Sequence, residues 1–185
     1  MTGKRGFSLF EMLIVVAIMG IVAVAAVPVA EITYIKTQET LLEKNLEDIR
    51  TAISLWKRDC RNVVVAIGDY NSLYNINDSQ LYPPSLEALV KPGEVYPIVA
   101  SDGVTHIADF RPQPYLQTIP QDPFVGAAKW VVHYASGTTG IYSGGITKPD
   151  DVNASGVLDV SCVDNTDNQR RGFVTAIDGT KYEDW

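Results

Sequence analysis

An apolar run from Met12 to Ala30, with a single carboxylate, Glu11, at its leading edge, constrains this chain more than any other feature. The run is about 19 residues long, close to the ~20 a helix needs to cross a bilayer. Lys4 and Arg5 precede it. Positive residues stay on the cytoplasmic side, so everything after the run is expected to face outward. Two plain readings exist. One is a secretory signal, whose small-residue cut site Ala23, Ala25 and Ala26 could imitate; the other is a simple membrane anchor. Glu11 argues against both. An anionic side chain at the edge of an apolar span is expensive and normally marks function, and a plain anchor gains nothing from it.

A cut between Gly6 and Phe7 gives Glu11 a role. Phe7 becomes a new N-terminus with a positive amine, and Glu11 is then the fifth residue, one helical turn away. Its carboxylate is placed to pair with the free amine of a neighbouring subunit, relieving two desolvated charges at once. Gly6-Phe7-Ser8-Leu9-Phe10-Glu11 resembles the prepilin cleavage and methylation motif of type IV pilins and type II secretion pseudopilins. The resemblance implies a prepilin peptidase that cuts on the cytoplasmic side and methylates the new amine. Pro28 lies where many pilins carry a proline. A proline inside a helix removes one hydrogen bond and costs about 3 kcal/mol. The bland reading is a kink or the exit of the span; the resemblance implies a place where the helix bends and melts locally in a filament.

From Glu31 to about Cys60 the pattern turns amphipathic. Leu42, Leu46, Ile49, Ile53, Trp56 and Cys60 are spaced 4, 3, 4, 3, 4, which places them on one helical face. Glu43, Lys44, Glu47, Asp48, Arg50 and Lys57 mostly fall elsewhere. A helix from Ser8 to Cys60 would run roughly 80 Å, a length that makes sense with a membrane or other subunits around it. Cys60 and Cys162 are the two cysteines. They lack CxxC spacing, which disfavours zinc and thioredoxin-like chemistry. Outside the cytoplasm a disulfide between them is the natural reading; two unpaired buried thiols are the alternative.

Beyond Cys60 the chain reads as a head. Ser85 is a candidate N-cap for a short helix through Val90, stopped by Pro92-Gly93. Lys129 to Tyr134, Gly140 to Gly144, Val157 to Val163 and Gly172 to Ile177 read as short strands. A long helix followed by runs of strands is α+β, with an antiparallel sheet on the helix. Tyr82-Pro83 leading into Leu86 to Val90 resembles a segment of major pseudopilins. So do the block Tyr115 to Phe124, similar to their YL…P.DP(W/F) segment, and the closing Asp178 to Trp185. Departures are an extra segment, roughly Val95 to Phe110, and Asn168-Gln169-Arg170-Arg171 where a tighter acidic loop belongs. Secretion-type major pseudopilins often bind calcium near the C-terminus. That resemblance makes Asp164, Asp167 and Asp178, with Asn165 and Asp159, candidate oxygen ligands. Arg170 and Arg171 oppose a cation there, and the alternative is a solvated polar loop.

Nothing points to catalysis. His106 and His133 stand in no zinc-ligand spacing, and there is no GxSxG. The net charge of −7 falls to −9 once Lys4 and Arg5 are removed, which disfavours nucleic acid. The expected organisation is a leader at 1–6, a membrane-spanning and filament-core helix at 7–30, its amphipathic half at 31–60, and an α+β head at 61–185. The expected function is that of a structural subunit of a type II secretion pseudopilus, a helical homo-oligomer. Its partners would be prepilin peptidase, an inner-membrane assembly platform and minor pseudopilins. It would start in the bacterial inner membrane, single-pass, with a periplasmic head, and end in a periplasmic pseudopilus or an extracellular filament. The alternatives are a type IV pilin for adhesion, motility or DNA uptake, and a membrane-anchored binding or enzymatic module. The pilin shares every N-terminal feature, so the head alone separates it from a pseudopilin.

Overall fold

The computed structural model describes residues 7–68, 70–93, 95–149, 155–163 and 175–185. Contacts divide the chain into two compact units, Met1–Glu39 and Thr40–Trp185. Helix α1, Leu9–Gly68, contributes to both.

In the first unit α1 carries its apolar side chains exposed, among them Phe10, Met19, Ile21 and Val24. The segment is long and apolar enough to cross a membrane, and none of its most apolar window is buried. Only a helix lets such a segment satisfy its own backbone in lipid. Pro28 sits inside α1 and removes one rung of the ladder. Just beyond it the Thr33 hydroxyl donates to the Val29 carbonyl and the Thr37 hydroxyl to the Thr33 carbonyl, each at 2.8 Å. Back-bonding of this kind slightly bends helices.

In the second unit the apolar stripe of α1 forms the floor of the core: Leu42, Leu46, Ile49, Ile53, Trp56 and Cys60 are all buried. The helix runs past the expected end near Cys60 to Gly68. Val64, fully buried four residues beyond Cys60, continues the same stripe. A four-stranded antiparallel sheet, in the order β5-β4-β3-β6, shares this core. Its strands are β3 (Lys129–Tyr134), β4 (Thr139–Ser143), β5 (Ile146–Pro149) and β6 (Val157–Ser161). Period-two alternation sets its faces: Trp130, Val132 and Tyr134 of β3, and Tyr142 of β4, are buried. Three of the four expected strands are present, β6 ending at Ser161 rather than Val163. The fourth, Gly172 to Ile177, lies largely outside the described residues. Its described part holds one isolated bridge, Thr175 to Lys181. β5 is an addition, turned at Gly144 and Gly145, both at positive φ, the backbone that glycine adopts without strain.

The extra segment between the two pseudopilin-like blocks proves to be a second sheet. β1 (Tyr96–Val99) pairs antiparallel with β2 (His106–Phe110). Its turn is held by Asp102, which accepts from the Val104 and Thr105 backbone N–H groups at 2.9 Å, with Gly103 at φ +73°. This sheet covers Trp56, whose ring stands edge-on to Tyr96 and Phe110 at 5.2 Å. The short helix α2 is Glu87–Val90, one residue later than expected. Leu86 is its N-cap and makes no side-chain capping bond, so Ser85 does not cap it.

Candidate functional site

At the N-terminus the described chain begins at Phe7, exposed, followed by α1 with Glu11 in its first turn. Gly6 lies outside the described residues. A carboxylate in the first turn interacts favourably with the helix dipole. The described neighbours of Glu11 are the exposed apolar side chains Phe10 and Met12.

In the head, Cys60 and Cys162 are both buried, and the fold sets them apart along α1. The path of β6 explains why. Gly156, just before β6, borders the same cavity as Cys60. Further along, the Val160 carbonyl accepts from Arg50 Nη2 at 2.9 Å. Arg50 precedes Cys60 by ten residues, about 15 Å along a helix. β6 therefore runs back along α1, away from Cys60, and Cys162 follows its far end. A disulfide needs Cα atoms within roughly 7 Å. Burial pushes the Cys60 thiol up to about 12, which keeps it protonated and unreactive at neutral pH.

The calcium candidates separate. Asp164, Asn165 and Asp167 lie outside the described residues. Asp159 is committed within the head: its Oδ1 accepts from Arg50 Nε at 2.8 Å and from its neighbour's backbone, Val160 N–H, at 2.8 Å. Asp178 Oδ1 accepts from the hydroxyl and the backbone N–H of Thr180, at 2.7 and 2.9 Å. Those two bonds hold its carboxyl below the usual carboxylate range. Among the described residues no three His, Cys, Asp or Glu side chains come together as a metal site.

Two arrangements were not legible beforehand. His133 Nε2 lies 2.9 Å from Ser161 Oγ. Asp159 is opposite His133 in strand register but is turned to Arg50, so it does not orient the imidazole. The second arrangement is a groove of about 590 Å³ between α1 and the C-terminal turn, lined by Glu43, Leu46, Glu47, Arg50, Asp178 and Trp185. Arg50 spends its guanidinium on Asp159 and Val160, and Trp185 is held by an Nε1–H bond to Thr180 Oγ1 and edge contact with Tyr182. The sequence signal was a run of charges beside the apolar stripe; nothing local told which charges meet the C-terminal turn.

The block Tyr115 to Phe124 is tied down by its own chemistry. Trp130 Nε1 donates to the Pro120 carbonyl at 2.9 Å. Asp122, fully buried, accepts from the Phe124 N–H at 2.9 Å. Tyr115 donates its hydroxyl to Asp59 at 3.0 Å, and burial together with that carboxylate raises its pKa.

Residues 1–27 match a family model described as the prokaryotic N-terminal methylation motif. No curated protein and no solved structure matches the chain.

Proposed function

We propose that this chain, a type IV pilin-like precursor by its N-terminal methylation motif, is a structural subunit of a type II secretion pseudopilus and not an enzyme. The observation that carries the reading is the motif itself, with Glu11 one turn from Phe7 at the edge of a span long and apolar enough to cross a membrane. Prepilin peptidase would cut at Gly6/Phe7. The chain would wait in the inner membrane with its head in the periplasm, then pass through an assembly platform into a helical homo-oligomer begun by minor pseudopilins. Lipid tails are as apolar as these side chains, so leaving the bilayer is driven by close helix packing and by charge pairing. Glu11, paired with the Phe7 amine of a neighbour, would set axial register. Pro28 would provide the point where the helix yields. The secretion-type assignment rests on the head segments Tyr82 to Val90, Tyr115 to Phe124 and Asp178 to Trp185.

Deleting the chain and comparing culture fluid with the cell surface tests this. Loss of specific secreted proteins with normal surface fibres is expected. Loss of long surface fibres with normal secretion would make it a type IV pilin instead. Restoring Glu11→Ala to the deletion strain is expected to leave membrane levels unchanged while abolishing assembly. Normal secretion in that strain would refute the role given to Glu11.

A further inference from the structure

The Thr40–Trp185 unit carries opposite charges on opposite flanks of α1. One flank holds the groove of about 590 Å³, where Glu43, Glu47 and Asp178 are exposed carboxylates and Leu46 and Trp185 supply apolar walls. Arg50, the cation in its lining, is already engaged by Asp159 and Val160. The groove therefore keeps an excess of negative charge beside an aromatic ring. The other flank is marked by Asp59, which accepts from the Tyr115 hydroxyl. Glu43 and Asp59 are 16 residues apart, and Glu47 and Asp59 are 12 apart. At about 100° per residue, these pairs point about 160° and about 120° away from each other around the helix. Two cations are carried to the Asp59 flank. Lys91 follows the end of α2, two residues after Leu89, whose carbonyl accepts from the Tyr115 and Leu116 N–H groups. Arg111 follows Phe110, whose ring packs on Trp56, and precedes Tyr115 by four residues. The Tyr96 hydroxyl accepts from the Gly93 N–H at 2.9 Å, and Tyr96 is the register partner of Phe110. That bond joins the Lys91 loop to the Arg111 end of the small sheet. Lys91 and Arg111 are both exposed, and neither side chain has an ion pair or hydrogen bond among the described residues.

We propose that Lys91 and Arg111 of one copy dock into the acidic groove of a neighbouring copy. The inference rests on the filament reading above and names the contact that fixes the stagger between heads. The two patches lie on opposite flanks, so parallel copies meet side by side, and each copy keeps its second flank for a further neighbour. The contact is heterologous and propagates as an open helix rather than closing into a dimer. The 12 residues from Glu47 to Asp59 put the basic flank about 18 Å further along α1 than the groove. The receiving copy is therefore displaced by about that distance towards the C-terminal end of α1. Arginine suits the groove twice over, pairing with carboxylates through its planar fork and stacking on an aromatic face such as Trp185. Lys91 adds a flexible point charge that tolerates some variation in the stagger.

The test uses the full-length chain in cells that assemble it. Reversing the basic flank (K91E with R111E) or the groove (E43R with E47R) is expected to cut sheared-filament yield by about tenfold, the effect of 1.4 kcal/mol. Carrying all four changes in one chain is expected to restore it. Thermal melting of each purified variant confirms an intact head. Independently, filaments built from a mixture of E47C and R111C copies are expected to give an oxidised dimer that neither variant gives alone. A chain carrying both E47C and R111C is expected to give a ladder of covalent oligomers, because an open contact joins every copy to the next. Filaments that form without the mixed dimer, or reversals of folded chains that leave yield unchanged, would overturn the proposal while the pseudopilus reading stands. A wild-type chain that yields no filament would overturn both.

Discussion

Replacing Trp56 with alanine should remove the contact that fastens the small sheet to α1. Trp56 is 1% exposed, meets Tyr96 and Phe110 edge-on at 5.2 Å, and has Tyr115 at 5.9 Å. Truncating a buried aromatic costs about 3–5 kcal/mol. Edge-to-face pairs contribute about 0.5–1.5 kcal/mol beyond the area they bury. With two such pairs lost, a value near the top of the range, about 4–5 kcal/mol, is expected. Thr40–Trp185 spans 146 residues, so its unfolding entropy near 60 °C is about 0.3 kcal/mol/K. The melting temperature should therefore fall by about 15 °C. Calorimetry and near-ultraviolet circular dichroism of the full chain in mild detergent would read this. The aromatic signal should collapse at the same temperature as the heat absorption. Trp56→Phe should recover more than half of the loss, because it keeps an aromatic ring between the same neighbours. A drop under about 3 °C for the alanine variant would refute the claim that β1 and β2 are held through Trp56.

Other outcomes follow from single contacts. Gly156 has φ +70°, and a Cβ there would lie 2.2 Å from the Ser79 carbonyl oxygen. Left-handed backbone alone costs a side-chain-bearing residue about 1–2 kcal/mol, so Gly156→Ala should destabilise by more than that in urea unfolding; a smaller effect would mean the β6 start does not rest on Ser79. Cys60, with its thiol raised from 9.0 to about 12, favours the folded state fully below pH 9 and loses that contribution as pH rises towards 12. The intact protein at pH 8 should resist alkylation at Cys60 and take the label only when unfolded. Mass spectrometry decides this, and rapid labelling of the native chain would contradict the burial.

The N-terminal span, its lone carboxylate and the amphipathic half of α1 were readable directly, because each is a local pattern. A span is a matter of length and hydropathy, and a stripe is a matter of period. Even there the stripe runs further than the Leu42-to-Cys60 pattern: Val64 continues the spacing and is buried, and α1 ends two turns later. The β1–β2 hairpin had its signal too, with Asp102-Gly103 between Tyr96–Val99 and His106–Phe110, yet it read as an insertion when compared with a family pattern. β5 is four residues ending in proline, too short and mixed for periodicity to detect.

Which distant residues meet was not available to any local pattern. Cys60 and Cys162 both belong to the core, and a head outside the cytoplasm makes a bridge between them the natural expectation. Only the direction in which β6 runs along α1 places them at opposite ends. Arg50 reads in the sequence as one more charge off the apolar stripe; the fold turns it to Asp159 and the Val160 carbonyl. Glu43, Glu47 and Asp178 share a groove only because the C-terminal turn, anchored by Tyr182 and Trp185, folds back over 130 residues of chain onto α1. A methylation motif, a membrane-length helix and an amphipathic continuation follow from the order of residues, because those depend on neighbours three or four residues away. The partners of its charges and thiols were decided by the tertiary structure alone, because long-range contacts depend on strand direction and register.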